Sequence, residues 1–235
     1  MELIKEINSY IQAIKNIQDS INQLQGDKFL KNHKKTLLLS LLETISKGVY
    51  GRKYVYKNYK RFKNFILEFC EWEDANKISL QQLSLLLERE QNPKFQRLKR
   101  YVDIEIRKYP SDSPVPFSYD ITIEKIKSLM PIGETEIYGV KIDKLTHVSL
   151  LWEFRNNLVH EARSIGAQEV FDVNYPHYVQ YTIAENGREI YEICYTVDFF
   201  NNIVERAIGN VRDALINSEQ NPWMNYNFSE LWIKH

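Results

Sequence analysis

The feature that most constrains the fold is a helical spacing of apolar residues at the start of the chain. Apolar side chains recur at alternating steps of four and three residues, at Leu3, Ile7, Tyr10, Ile14, Ile17, Ile21 and Leu24. This spacing predicts an amphipathic helix with a narrow apolar stripe, which must be buried against a partner helix. The partner can belong to the same chain or to a second copy of it. We therefore assign residues 1–30 to an N-terminal amphipathic helix whose partner the sequence leaves open.

Later segments repeat the helical periodicity and are separated by short breaks. We predict helices in KKTLLLSLLETIS and at residues 59–72, 79–90, 93–108, 121–129, 143–165 and 198–217. The stretch PSDSPVP predicts a loop, because several prolines in a short span cannot sustain a helix. Residues near 177–197 alternate large and polar side chains around Asn186-Gly187, which is typical of a β-hairpin. The expected fold is mainly α, with a helical domain at residues 31–220, this hairpin, and an aromatic C-terminal tail at residues 221–235.

Composition and charge limit the partners and the cell compartment that we expect for this protein. The 235 residues include 31 Lys and Arg and 31 Asp and Glu, so any attraction to nucleic acid or anionic lipid must be local. The sequence has no long apolar run, and its N-terminus lacks the apolar segment and cleavage site of a signal peptide. Cys70 and Cys194 are too few for a disulfide framework. We expect a cytoplasmic protein that does not associate with membranes.

The helix that contains FRNNLVHE combines an apolar face with an unusual group of polar residues. At about 100° per residue, one arc collects Val148, Leu151, Trp152, Val159, Ala162 and Ile165. Arg155 falls inside this arc, where a buried unpaired guanidinium would cost several kcal/mol. It must therefore meet a carboxylate, a phosphate or water. Asn156 and His160 are four residues apart and share one face at the edge of the arc, within reach of Arg155.

Two interpretations of this group are open. Arg155 can pair with an internal carboxylate such as Glu43, with His160 an ordinary satisfied histidine. The protein would then be a non-catalytic helical module that binds RNA or a partner protein. Alternatively, the cation, the amide and the imidazole form a catalytic site.

The segment KGVYGRKYVYKNYKRFK carries the strongest local charge in the chain, with no acidic residue among its seven cations. Four tyrosines are interleaved with these cations. Charge attraction to the backbone and stacking on unpaired bases are the two requirements of single-stranded RNA binding. We predict that RNA is bound by Arg52, Lys53, Lys57, Lys60 and Arg61. The alternative is a solvated helix face whose tyrosines belong to the core.

The segment Arg155-Asn156-Asn157-Leu158-Val159-His160 resembles the Arg-polar-x-x-x-His motif of the HEPN (higher eukaryotes and prokaryotes nucleotide-binding) superfamily. The upstream segment LLETISKGVYGRKYVYKNYKRFKNFILEF is similar to the early helix, Tyr-Gly break and basic second helix of several bacterial members. The resemblance covers roughly residues 35–217. It implies a HEPN-like helical bundle with metal-independent endoribonuclease activity, often in toxin, abortive-infection or anti-phage defence systems. An antitoxin or another defence-system protein is then an expected partner.

The resemblance also implies roles for the motif residues. Arg155 and His160 would be catalytic, and Asn156 would orient them. The chemistry agrees, because RNA cleavage by its own 2′-hydroxyl needs proton transfers and a cation facing the charged phosphorane. One imidazole cannot be base and acid at once, so two motifs meeting across a two-fold axis are expected. We therefore predict a homodimer.

The sequence predicts no metal site and no cofactor. His160-Glu161 lacks the second histidine of the H-E-x-x-H motif, because Ser164 stands in its place. His33, His147 and Glu153 form no recognisable ligand spacing, and GVYGRK is not a phosphate loop.

Overall fold

A computed structural model describes residues 2–27, 29–111, 113–161, 163–184, 187 and 189–226. Within these residues the helices are α1 (Glu2–Asn22), α2 (Leu30–Tyr50), α3 (Asn58–Phe69), α4 (Leu80–Arg89), α5 (Gln96–Ile106), α6 (Ile123–Leu129), α7 (His147–Glu161) and α8 (Val197–Asn217). The strands are β1 (Lys77–Ile78), β2 (Val115–Pro116), β3 (Ile121–Thr122), β4 (Glu136–Ile137), β5 (Val140–Lys141), β6 (His177–Thr182) and β7 (Glu189–Cys194). The prediction of a mainly α chain is confirmed.

The chain divides into two compact units. The first contains residues 1–71 and 200–235, and the second contains residues 72–199. The predicted N-terminal helix and the described part of the C-terminal tail, residues 221–226, both belong to the first unit. The motif helix and the hairpin both belong to the second.

In the first unit, α1 packs against α2 of the same chain. The predicted stripe is only partly covered: Ile7 and Ile14 are buried, whereas Ile17 and Leu24 are 45% and 39% exposed. Leu24 also lies beyond the end of α1 at Asn22. Much of the apolar stripe of α1 is therefore buried by other residues of the same chain.

The first residues of the predicted tail pack onto α1 and α2. The Tyr226 hydroxyl donates to the Thr44 carbonyl at 2.8 Å and lies 3.0 Å from the Tyr10 hydroxyl. The Trp223 ring meets Tyr10 edge-on, with 5.2 Å between ring centroids. Gly48 lets the Tyr10 ring lie close to the backbone of α2, because a Cβ at position 48 would collide with the Tyr10 hydroxyl. The rest of the predicted tail, residues 227–235, lies outside the described residues.

In the second unit, β6 and β7 form the predicted antiparallel hairpin, with His177 opposite Cys194 and Thr182 opposite Glu189. Asn186 of the predicted turn lies outside the described residues. Strand β2 pairs with β6, which extends the hairpin to three strands. β1 pairs with β3, and β4 pairs with β5.

The predicted bounds of the motif helix, 143–165, are wrong at both ends. Residues 142–145 form a 3-10 turn, and Thr146 is extended, so α7 begins at His147. The Thr146 hydroxyl donates to the Asp143 carbonyl at 2.8 Å, a local bond that competes with helix formation. The last described helical residue is Glu161, and residues 163–165 are not helical.

Among the described residues, no helix is both long and apolar enough to cross a membrane.

Candidate active site

The three predicted catalytic residues meet at the C-terminal half of α7. Arg155 Nη1 donates to Asn156 Oδ1 at 3.1 Å and lies 2.7 Å from His160 Nε2. A guanidinium has N–H groups and no acceptor, so His160 Nε2 must accept this bond through its lone pair. The imidazole nitrogen that faces Arg155 therefore carries no proton, which is the form that can act as a base.

The buried face of α7 differs from the predicted arc. Val148, Leu151, Phe154 and Leu158 are buried, whereas the predicted arc members Trp152, Val159 and Ile165 are only half-buried. Ala162 lies outside the described residues. Arg155 is half-buried and, at about 100° per residue, lies between Leu151 and Val148, near one edge of the buried face. Phe154 and Leu158 extend that face away from Trp152 and Val159, so its centre is displaced around the helix from the predicted arc.

Two neighbours set the surroundings of the cluster. The Arg155 guanidinium lies over the Trp152 ring, 5.1 Å from its centroid, which is cation–π geometry. His160 is exposed to solvent. The cluster thus combines a cation held on an aromatic ring with an imidazole that an external molecule can reach.

A second arginine at the same helix end was missed in the sequence. Arg163 Nη2 donates to Asn157 Oδ1 at 2.9 Å, and the Asn157 amide donates to the Glu153 carbonyl at 2.9 Å. Arg163 also pairs with Glu161 at 3.2 Å. The unpaired carbonyls at the end of a helix favour a cation at this position. The sequence signal that could have identified Arg163 was its place just after His160-Glu161, near the predicted helix end.

A buried polar network at the start of α7 was also missed. Asp120 Oδ2 lies 2.6 Å from His147 Nε2 and accepts from the Tyr178 hydroxyl at 2.5 Å. Asp120 Oδ1 accepts from the Tyr109 hydroxyl at 2.8 Å and from the Leu80 backbone N–H at 3.0 Å. The side chains of Asp120 and His147 are fully buried. These groups lie far apart in the sequence, so no local pattern predicts the network.

The network ties the first residue of α7 to the rest of the second unit. Burial, reinforced by the charge of Asp120, raises the pKa of both Tyr109 and Tyr178 above the ordinary tyrosine value. Both phenols therefore remain protonated donors to the carboxylate. His147 also stacks on the Phe117 ring, with 3.8 Å between centroids. The position of the motif helix thus depends on groups well outside the motif.

The predicted RNA-binding residues lie in the first unit. Gly51–Tyr54 form a 3-10 turn that carries Arg52 and Lys53, and the rest lie at the start of α3. Arg52, Lys53, Lys57 and Lys60 are exposed, whereas Arg61 is half-buried.

The tyrosines of this basic segment divide between core and surface. Tyr54 is buried, as the alternative interpretation expects of all four tyrosines. Tyr56 is 87% exposed, on a backbone with φ of 60°. Tyr56 is thus available for stacking on an unpaired base.

Among the described residues, no group of three or more His, Cys, Asp or Glu side chains could hold a metal ion. Cys70 and Cys194 are buried free thiols, and burial raises the pKa of the Cys70 thiol above its ordinary value.

The exposed lysines of α3 and its start give a testable prediction. Replacing Lys57 and Lys60 by Gln should weaken binding of single-stranded RNA and flatten the plot of log affinity against log salt by about 0.7 per lost phosphate contact. Lys5→Gln with Lys15→Gln is the matched control, because both lysines are exposed on α1 and the charge change is the same. Equal salt slopes for the two double variants, measured by fluorescence anisotropy, would remove the basic segment from the binding surface.

In comparisons of the chain with protein-family models, with curated proteins and with solved structures, no match was found.

Proposed function

We propose that the protein is a metal-independent endoribonuclease of HEPN type, which acts as a toxin or anti-phage defence effector. The observation that carries the proposal is the contact of 2.7 Å between Arg155 Nη1 and His160 Nε2, with Asn156 bonded to the same guanidinium nitrogen. These are the residues of the Arg-Asn-x-x-x-His motif. Their convergence in one hydrogen-bonded group is what a catalytic role requires of them.

The first step is removal of the proton from the RNA 2′-hydroxyl. His160 Nε2 has a lone pair in this arrangement and is the base in the proposed mechanism. As the 2′-hydroxyl approaches, it takes the place of Arg155 at this nitrogen. In the proposed mechanism the Arg155 guanidinium then faces the phosphate, where its N–H groups meet the charge that develops on the phosphorane.

Asn156 is proposed to orient Arg155. Its Oδ1 accepts from Nη1 and limits the rotation of the guanidinium, and the Trp152 ring limits it from another side. A guanidinium restricted in this way loses less conformational freedom when it binds phosphate. Positioning of the cation before the reaction is the form of electrostatic catalysis that costs least in the transition state.

The second step, protonation of the leaving 5′-oxygen, needs another acid. The proposed homodimer supplies it by bringing a second His160 to the same phosphate across a two-fold axis near Arg155, Asn156 and His160. This second imidazole must carry a proton on Nε2, which water supplies before the first turnover. Afterwards the imidazole that took the 2′-hydroxyl proton is the acid of the next turnover, so the two His160 side chains exchange roles. RNA binding is proposed for the basic segment of the first unit.

The dimer gives a prediction of its own. Light scattering at the concentration that supports cleavage should give twice the chain mass of 28.0 kDa. Activity should fall more steeply than protein concentration on dilution, because the second imidazole is lost with the partner. Full cleavage by protein that is entirely monomeric would rule out the shared site.

Cleavage of single-stranded RNA by the purified protein tests the function directly. Cutting should continue in excess EDTA and should leave 2′,3′-cyclic phosphate and 5′-hydroxyl ends, because the attacking oxygen belongs to the RNA. Ends are read by mass spectrometry of a short oligonucleotide. Loss of cleavage in EDTA, or 3′-hydroxyl products, would contradict the proposed chemistry.

A further inference from the structure

The first unit contains a cavity of about 640 Å³ that the proposed cleavage site does not use. One wall is formed by residues 49–53, at the end of α2 and in the 3-10 turn after it. The other wall is formed by the end of α8 and the turn that follows it, including Ser218, Gln220 and Asn225. Its size is within the usual range for small-molecule sites.

A close contact joins the two segments that form the walls. Asn225 Nδ2 donates to the Gly48 carbonyl at 2.6 Å. Gly51 has φ of +53°, and a Cβ at this position would collide with the Asn225 side chain. The two glycines of KGVYGRK therefore let the C-terminal turn approach the end of α2, and the cavity opens beside this approach.

Two cations line one wall, and Lys53 is held in place. Its Nζ lies 5.3 Å from the centroid of the Tyr50 ring and 5.4 Å from that of Tyr54. Both rings are fixed in turn, since the Tyr50 hydroxyl donates to Glu68 at 2.6 Å and Asn64 donates to the Tyr54 hydroxyl at 2.6 Å. The ammonium thus has a defined position before any ligand arrives.

The cavity has opposite character at its two walls. Arg52 and Lys53 are exposed and positively charged, and none of the described residues that line the cavity is acidic. The opposite wall offers the Gln220 amide and the Ser218 hydroxyl oxygen, whose hydrogen is donated to the Ala214 carbonyl at 2.7 Å. Hydroxyl and amide oxygens suit a neutral ligand part with hydrogen-bond donors, and Tyr50 adds an aromatic side chain to the lining.

We propose that this cavity binds one nucleotide unit, with the phosphate at Arg52 and Lys53 and the sugar and base toward Ser218 and Gln220. A nucleotide carries an anion at one end, hydroxyl and amino donors at the other, and a flat ring to stack. A nucleotide within an RNA chain and a free nucleotide share this chemistry. The RNA source rests on the proposed function, whereas binding of the unit itself does not.

The test measures binding in the His160→Ala protein, so that cleavage does not interfere. The probes are a fluorescein-labelled single-stranded decanucleotide RNA and free AMP. Lys53→Gln, which removes the held charge, and Ser218→Trp, which fills the cavity without changing charge, should each weaken binding on the order of tenfold. Lys53→Arg should restore much of the affinity. Lys5→Gln on α1 is the control and should leave AMP binding unchanged.

The two probes distinguish the sources of the ligand. If the two substitutions weaken binding of the RNA but not of AMP, the cavity holds a nucleotide of the substrate chain. If they weaken AMP binding equally, the cavity holds a free nucleotide. Folding of each variant is checked by its thermal melting curve. Unchanged binding of both probes to folded Lys53→Gln and Ser218→Trp proteins would overturn the proposal. A failure of the protein to cleave RNA would not overturn this proposal, because these measurements concern binding alone.

Discussion

His160→Ala should lower the rate of RNA cleavage by on the order of 10²-fold or more, the usual effect of losing a general acid–base group. His160 Nε2 lies 2.7 Å from Arg155 Nη1, and the side chain is exposed on α7. Its removal opens no cavity in the core, so the melting temperature should change little. Expression of the unmodified protein should be toxic to cells, and His160→Ala should relieve that toxicity.

His33→Ala is the matched control, because His33 is an exposed histidine on a helix of the first unit. This variant should cleave RNA at the unmodified rate. Arg155→Ala should lose as much activity as His160→Ala, and Asn156→Ala should lose less, because its proposed role is to orient the arginine. A His160→Ala protein that cuts RNA as fast as the His33→Ala protein would remove His160 from the mechanism. If no RNA is cut by dimeric unmodified protein, the non-catalytic interaction module becomes the better interpretation.

Asp120→Ala should destabilise the second unit by about 3 kcal/mol or more, because each buried donor left without an acceptor costs about 1–3 kcal/mol. The substitution removes the carboxylate acceptor of the His147 ring, the Tyr109 hydroxyl and the Leu80 N–H, whereas the Tyr178 hydroxyl keeps Ser79 Oγ as an acceptor at 2.8 Å. These donors are buried, so water does not easily replace the carboxylate as their acceptor. The substitution therefore incurs the cost of burying unsatisfied donors. Unfolding in urea, followed by tryptophan fluorescence, measures the change.

Asp213→Ala is the control for Asp120, since the Asp213 side chain is 72% exposed on α8. Its change in unfolding free energy should stay within about 0.5 kcal/mol. Asp120→Asn preserves the shape and replaces one acceptor by a donor, so it too should destabilise the unit. A loss below about 1 kcal/mol for Asp120→Ala would show that the network adds little to stability.

The sequence was sufficient for the helices and for the motif cluster, because both depend on short spacings. Apolar steps of three and four residues place α2, α4 and α8 without knowledge of what they pack against. Arg155 and His160 are five positions apart on one helix, so the reach of the arginine side chain was enough to predict that they meet. The hairpin followed from alternation around a glycine turn.

Long-range contacts account for most of what sequence reasoning missed. Asp120, His147 and Tyr178 belong to three different segments, and only the folded second unit brings them together. The buried face of α7 includes Phe154 and Leu158, and its centre therefore differs from that of the predicted arc, because helical periodicity does not show which neighbours cover these side chains. The start of α7 at His147 depends on the local bonds of Thr146, which the apolar pattern does not encode.

The central claim is that the RNA's own 2′-hydroxyl attacks the phosphorus while His160 and Arg155 assist. The measurement that tests it most directly compares two oligonucleotides of one sequence, which differ only by a 2′-deoxy sugar before the mapped cut. The purified protein should cleave the all-ribose strand in EDTA and leave the deoxy-substituted position intact, while binding both strands equally. Cleavage of the deoxy position at a rate similar to that of the ribose position would contradict the account.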